Sequence, residues 1–390
     1  MAREKLSQAT RRSRDLDGSM ARRYGCSMDK TDISASMTGG PLTTLHENAV
    51  ILPSTKHWSR NNYAVIDRDG AIIPHADTWR AARMNNPEGR IVSQDVDELA
   101  GTHLFGGMIF YHFGHVFVES TARLHAYPAL KDQIDSVVFV GFSSSQTEVG
   151  RHRVIFETLG VDAPLRVISQ PTRIERLYVP RQLGGLGRHA AGGPALHRFF
   201  AEASARIAPD GPDRIFISRA GYSLNRGGVI SEDLLEANME AQGYTLYAPE
   251  RHSLAEQIAA YRAARVVVGL DSSAFHVVAA ASNRNLETGI ILRRRSGTVD
   301  IAPQIEGFTG RKPVIIDAIR RMWACEGARA RPWDHFAEID FAEVAEQLET
   351  GGFLTDPAAW RIANPGIRTR FRRRYAKAKG KALAITDREL

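Results

Sequence analysis

Cysteine is scarce in this chain. Of 390 residues only Cys26 and Cys325 are cysteines. They lie far apart, one of them in a polar leader, so a disulfide framework is not expected and a reducing cytoplasm fits best. Long apolar runs are missing too: none reaches the ~18 residues that a membrane-spanning helix needs. Residues 1–10 are polar and lack the apolar core of a signal peptide. The leader, residues 1–40, has no periodicity and reads as disordered, and its acidic residues argue against an organelle transit peptide. No repeat of fixed period runs through the chain. Aromatic residues do not alternate with the basic runs, so the stacking platform that a single strand would use is absent and no nucleic acid partner is expected.

What is present is the composition of a globular protein, 43% apolar and 24% charged, with a net charge of +7. The positive charge gathers at the ends: Arg11, Arg12, Arg14, Arg22 and Arg23 at one, and Arg368, Arg370, Arg372, Arg373, Arg374, Lys377, Lys379 and Lys381 at the other. These runs read first as solvated tails and second as peripheral contacts with an anionic membrane surface. The expected location is cytoplasmic, with membrane association as the second reading.

Between the ends, short apolar strands alternate with helical patterns. Strands are predicted at AVIL after Asn48, at YAVID, GRIVS, residues 137–140 (followed by a Ser-rich loop), LRVIS and LYVP, then at 214–218, 244–247, 266–269, 289–292 and 313–316. Helices are predicted at 116–127, 148–159, 194–207, 231–242, 253–264 and 334–350, with another beyond Trp360. Such alternation indicates α/β architecture with parallel sheets covered on both faces. The expected organisation is a leader (1–40), two α/β domains in tandem (41–208 and 209–330) joined through the APDGPD segment, and C-terminal helices with a basic tail (331–390). The Gly-rich stretch 183–193 reads as a mobile loop.

Residues 214–281 hold the densest chemistry. Arg219 and Arg226 follow the strand IFIS and flank a loop with Gly221, Asn225, Gly227 and Gly228. Guanidinium forks at the carboxyl end of a parallel strand suit a pyrophosphate; an ordinary solvated loop is the competing reading. Asp271, Ser272 and Ser273 lie in the turn between a buried VVVG strand and the apolar HVVAAA helix. They fit either helix capping or an oxyanion site, and the two are compatible. Ser253 and Glu256 match a capping box, whereas Glu250, after Pro249, is placed to face a ligand such as a ribose hydroxyl. Upstream, His112-Phe-Gly-His115-Val-Phe-Val-Glu119 leads to Arg123. His115 and Glu119 share a helix face. Three readings stand for them, in this order: a core histidine beside a Glu119–Arg123 pair, a general base oriented by the carboxylate, and a metal set of His112, His115 and Glu119.

Together these blocks resemble glycosyltransferase family 61, whose bacterial members are often described as capsular polysaccharide biosynthesis proteins. The resemblance runs over about 104–292: GGMIFYHFGHVFVESTARLHAY, RIFISR…R, the GYTLYAPE strand, LAEQ and VVVG…SSAFH, in the family's order. It implies a GT-B-type fold, two Rossmann-like domains facing a cleft, with the acceptor side in 41–208 and the nucleotide-sugar side in 209–330. It implies inverting transfer from a nucleotide-sugar, a UDP-sugar being expected, to a polysaccharide or glycoconjugate, with no cofactor and no obligatory metal. Arg219 and Arg226 would contact the diphosphate, Asp271, Ser272 and Ser273 would form its turn, Glu250 would lie near the nucleoside, and His115 or Glu119 would line the acceptor side. Two departures stand out. Ser231-Glu232 replaces the usual Asn-Glu, and Gly-Leu-Asp-Ser-Ser replaces Gly-x-His-Gly-Ala or Gly-x-x-Gly-Ser, so Ser272 sits where a glycine would let a phosphate close in. A metal-dependent hydrolase on His112, His115 and Glu119, and a non-catalytic nucleotide- or glycan-binding member, remain the alternatives.

Overall fold

The computed structural model describes residues 41–53, 63–85, 96–141, 146–221, 226–325 and 334–386. The leader, the GRIVS strand, the Ser-rich loop after Gly141 and Asn225 lie outside these residues. Among the described residues the strands form three sheets, consistent with α/β.

The first sheet has the order β2-β1-β6-β3-β4-β5, built from β1 (Thr43–Leu52), β2 (Ala64–Ile66), β3 (Asp97–Met108), β4 (Ser136–Val140), β5 (Leu165–Ile168) and β6 (Thr172–Pro180). It is mixed rather than all parallel: β1 runs antiparallel to both β2 and β6, while β3, β4, β5 and β6 pair in parallel. Strand β3 is not visible in the apolar pattern because Gly101, Gly106 and Gly107 interrupt it. Its ladder shifts register at two places, between Leu99 and Thr102 and between Phe105 and Gly107, as glycine-bearing strands often do.

The second sheet follows the expected parallel form, with the order β12-β11-β10-β7-β9. Its strands are β7 (Arg214–Ile217), β9 (Thr245–Tyr247), β10 (Val266–Leu270), β11 (Glu287–Ile291) and β12 (Val314–Ile316). Central β10 is buried along its whole length, which is why it reads as an unbroken apolar run. Helices α1 (Gln146–Thr158), α2 (Pro194–Ala205), α3 (Glu232–Ala241), α4 (Leu254–Ala263), α5 (Ala274–Ala280) and α6 (Ile301–Thr309) connect and cover the strands. Helix α4 starts in the capping box expected of Ser253 and Glu256. One continuous apolar cluster, including Leu104, Phe117, Phe200, Phe275, Val278 and Ile305, joins elements of both sheets. Each such side chain contributes roughly 1.5–3 kcal/mol of burial.

The third sheet, β15-β13-β14-β8, has no counterpart in the sequence reading. It contains β8 (Gly228–Val229), β13 (Ile319–Cys325), β14 (Phe336–Ile339) and β15 (Leu383–Ile385). The helix expected over 334–350 is in fact β14 followed by α7 (Phe341–Thr350), divided at Asp340. The Asp340 carboxylate accepts the backbone N–H groups of Ala342 and Glu343, and so starts the helix there. The helix expected beyond Trp360 is α8 (Pro365–Lys379), which takes up most of the basic run and whose Phe371 and Tyr375 pack with Trp323 and Phe336 of the third sheet. No helix among the described residues is long and apolar enough to cross a membrane.

Candidate active site at the junction of two turns

The helix expected over 116–127 is irregular. A short α-helical turn, Phe113–His115, leads into a π-helical turn, Val116–Ser120, and then a 3-10 turn, Leu124–Ala126. Glu119 sits in the π turn, buried to 3% exposure; such turns cluster at functional sites because they re-aim side chains. Its carboxylate lies 2.7 Å from His115 Nδ1. It also accepts two hydrogen bonds from Arg80, from Nε to Oε1 at 2.7 Å and from an Nη to Oε2 at 2.8 Å. Burial pushes the Glu119 carboxyl up, but the hydrogen bonds from His115 and Arg80 outweigh it and leave the group below the usual carboxylate range.

The partner of Glu119 is therefore Arg80 and not Arg123. Arg123 is buried and donates to the carbonyls of Pro180, His75 and Asp77, tying β6 to the segment that carries Arg80. The facial metal set does not form. Both Glu119 oxygens are held by a guanidinium, and among the described residues no three His, Cys, Asp or Glu side chains gather as a metal would require. His115 remains partly open, its side chain 37% exposed, with its ring stacked on Phe110 at 5.7 Å. The Gly-rich stretch walls this corner instead of forming an open loop. Leu183, Gly184 and Gly185 are buried, and the Gly187 N–H donates to Asp300 at 2.6 Å. Gly187 has φ +61° and touches the Arg80–Ala81 backbone, a place no side chain could occupy.

The second wall is the turn after β10. Asp271 is fully buried, with Arg293 Nε 2.9 Å and Arg294 Nε 3.5 Å from its carboxylate oxygens. The Arg293 Nε–H is directed to the Asp271 backbone carbonyl, so neither carboxylate oxygen accepts an aligned hydrogen bond from a described residue. Burial raises the Asp271 carboxyl, opposed by the charges of Arg293, Arg294 and Arg219. Arg293 is 5% exposed, and burial pulls it down to about 9, opposed by Asp271. Its Nη1 has no hydrogen-bond partner among the described residues. Arg219, Asp271 and Arg293 thus stand just past the carboxyl ends of β7, β10 and β11, three adjacent parallel strands.

Arg219 is anchored through its backbone: its N–H donates to Glu232 at 2.7 Å. Burial lifts Glu232 to about 7. Ser218 donates to Glu236 beside it. Ser231, the departure from Asn, holds φ +69°, a left-handed conformation that Asn tolerates better. Glu250 is exposed and lies at the same sheet edge; a Cβ on Gly221 would be 2.5 Å from its Oε1. Arg226 is exposed. Ser272 and Ser273 do not cap α5 with their side chains. Ser273 is exposed, while the Ser272 hydroxyl is buried without a described partner.

The two walls meet. Gly114 abuts Ser273 so closely that a Cβ there would lie 3.0 Å from the Ser273 Cβ and 3.7 Å from the His276 ring. Buried His276 is lowered chiefly by burial, and it also responds to the charges of His115 and Glu119. A continuous path therefore runs from Arg293 and Asp271 through Ser272, Ser273 and Gly114 to His115, Glu119 and Arg80. Arg80, Arg293 and Arg294 escaped the sequence reading. The RRR triplet after a predicted strand was the available signal; Arg80 had none. The glycosyltransferase 61 family model matches residues 113–290, from the turn before His115 into β11. Among curated proteins, none matches the chain.

Proposed function

We propose that the chain, whose residues 113–290 match the glycosyltransferase 61 family model, is an inverting glycosyltransferase moving a sugar from a nucleotide-sugar, a UDP-sugar, to a polysaccharide or glycoconjugate acceptor. The observation that carries this reading is the cluster of Arg219, Arg293 and Arg294 at the carboxyl edge of a parallel sheet, in which the buried Arg293 Nη1 has no hydrogen-bond partner among the described residues. Burial makes such donors strong and also makes their lack of a partner costly. A diphosphate would satisfy them, with Ser272 and Ser273 completing its turn and Glu250 near the nucleoside. The parallel sheet would serve the donor, and the mixed sheet the acceptor, as in a GT-B arrangement.

In this reading Glu119, kept ionised by Arg80, holds the proton of His115 on Nδ1 and leaves Nε2 as the acceptor of a proton. Nε2 takes the proton of the sugar-acceptor hydroxyl as that oxygen bonds to the anomeric carbon. The bond from that carbon to the diphosphate oxygen breaks, its electron pair leaves with the nucleoside diphosphate, and the arginines stabilise that negative charge, filling the role a metal plays elsewhere. Attack from the face opposite the leaving group inverts the anomeric centre.

Titration calorimetry with UDP and a panel of nucleotides tests the donor wall. Arg219→Ala and Arg293→Ala are each expected to weaken binding by about 10- to 100-fold, the weight of a charge-assisted hydrogen bond; Arg226→Ala, an exposed residue, should have a smaller effect. His115→Ala should bind donor normally and lose about 10²- to 10⁴-fold in transfer. Unchanged affinity in the Arg219 and Arg293 variants would remove the diphosphate site.

A further inference from the structure

We propose that helix α8 and the adjoining strand β15 form a docking surface for an anionic phospholipid bilayer. Residues 362–385 contain no Asp or Glu, so no acidic residue within this stretch offsets its positive charge. The helix is divided by chemistry. Phe371 and Tyr375, four apart, are buried against Trp323 and Phe336, while Arg370, Arg373 and Lys377 lie exposed on the opposite stripe, flanked by exposed Arg372 and Arg374. Arg368, at the start of the run, pairs with Glu338 at 2.6 Å. Arg372 lays its guanidinium 4.5 Å over the Trp323 ring, which fixes its position while leaving it accessible.

Two features favour lipid over an acidic polymer. A cavity of about 280 Å³ between α8 and β15 is lined by Thr369, Arg372, Arg373, Ala376, Ala382 and Leu383. It joins two cations to an apolar floor and so matches a phosphate attached to hydrocarbon. At the edge of the same sheet Ile385, paired in register with Trp323, is 50% exposed, an apolar side chain able to enter the headgroup region. The aromatic rings of this region face the core, leaving no stacking platform for nucleic acid.

Co-sedimentation of the full chain with vesicles tests this directly, comparing phosphatidylcholine alone with phosphatidylcholine containing phosphatidylserine. Binding is expected only to the anionic vesicles and should fall as salt is raised. Replacing Arg370, Arg373 and Lys377 together by Gln should lower the partition coefficient by about a hundredfold while leaving UDP affinity and the thermal midpoint unchanged; the three side chains are exposed and outside the transferase site. Equal partition onto neutral vesicles, full retention of binding by the triple variant, or tighter binding to RNA or an acidic polysaccharide at the same salt would each overturn the proposal. Because nucleotide affinity is read separately, its loss or retention bears on the transferase reading alone.

Discussion

Two buried carboxylates, Glu119 and Asp271, stand on opposite walls of one site and are treated in opposite ways. Glu119 is clamped by both donors of one Arg80 edge and by His115, and its pKa falls. Asp271 has cations close by, yet its oxygens accept no aligned hydrogen bond from a described residue, and its pKa rises. The difference teaches that proximity of charge is not the same as satisfaction. In the proposed mechanism Glu119 belongs to a pre-organised device that sets the His115 tautomer. Asp271 is a counter-charge that keeps a cluster of arginines together without saturating them, which suits a place where a ligand's oxygens complete the set.

The largest effect should come from removing the unsatisfied partner. Asp271→Asn leaves buried arginines uncompensated and should cost about 3–5 kcal/mol of stability, read as a lowered thermal midpoint that added UDP partly restores. A neutral outcome would place Asp271 outside the electrostatics of the cluster. On the other wall, Arg80→Ala should reduce transfer by about 10- to 100-fold, equivalent to the ~1.5–3 kcal/mol of a charged hydrogen bond, with nucleotide affinity intact. If nucleotide binding fell instead, the division into two walls would fail.

Protonation sharpens the contrast. Glu119 has a folded pKa below 4.5, so its stabilising contribution is complete above pH 4.5 and is lost as pH falls through the folded value. Glu232, behind Arg219, runs the other way. Raised from 4.5 to about 7, its ionised form opposes folding above pH 7, and that penalty is relieved as pH falls from about 7 towards 4.5. Thermal melts from pH 8 to 5 should therefore show wild type gaining stability relative to Glu232→Gln; parallel curves would refute the assignment. The smallest effect is expected at Ser231, whose φ is +69° and whose buried hydroxyl has no described partner. Ser231→Gly should stabilise by roughly 0.5–1 kcal/mol, since relief of the left-handed strain exceeds the added chain entropy.

How much of this was legible follows from the range of the forces involved. The five parallel strands of the second sheet were readable because a strand buried on both faces must be a short apolar run, and 266–269 is one. The HFGH and SSAFH turns were readable as motifs, although their contact through Gly114 and Ser273 was not. The third sheet was hidden because Gly228–Val229 is too short to show a period, and because FAEI followed by Asp340 runs directly into a true helix. Arg80 was hidden for another reason: its role exists only across 39 positions of chain, and no local pattern marks a lone arginine as a clamp. Arg123 shows the converse. Its spacing from Glu119 suggested an ion pair, but the π turn and the following 3-10 turn rotate it towards backbone carbonyls. The anchoring of Arg219 was equally hidden, because Glu232, which accepts its backbone N–H, lies 13 positions further along the chain.

The contact of Gly114 with Ser273 also acts as a length standard. In the proposed mechanism it determines how far the proton acceptor of one wall would stand from the anion-holding turn of the other, and a single methyl is the unit of adjustment. Alanine at 114 would need the Ser273 side of the junction to give by some tenths of an ångström. Reactions between two bound substrates lose rate steeply when the approach distance is relaxed on that scale. On the proposed reading the same position is the place to retune the site for a bulkier acceptor, accepting slower turnover in exchange for a wider bite.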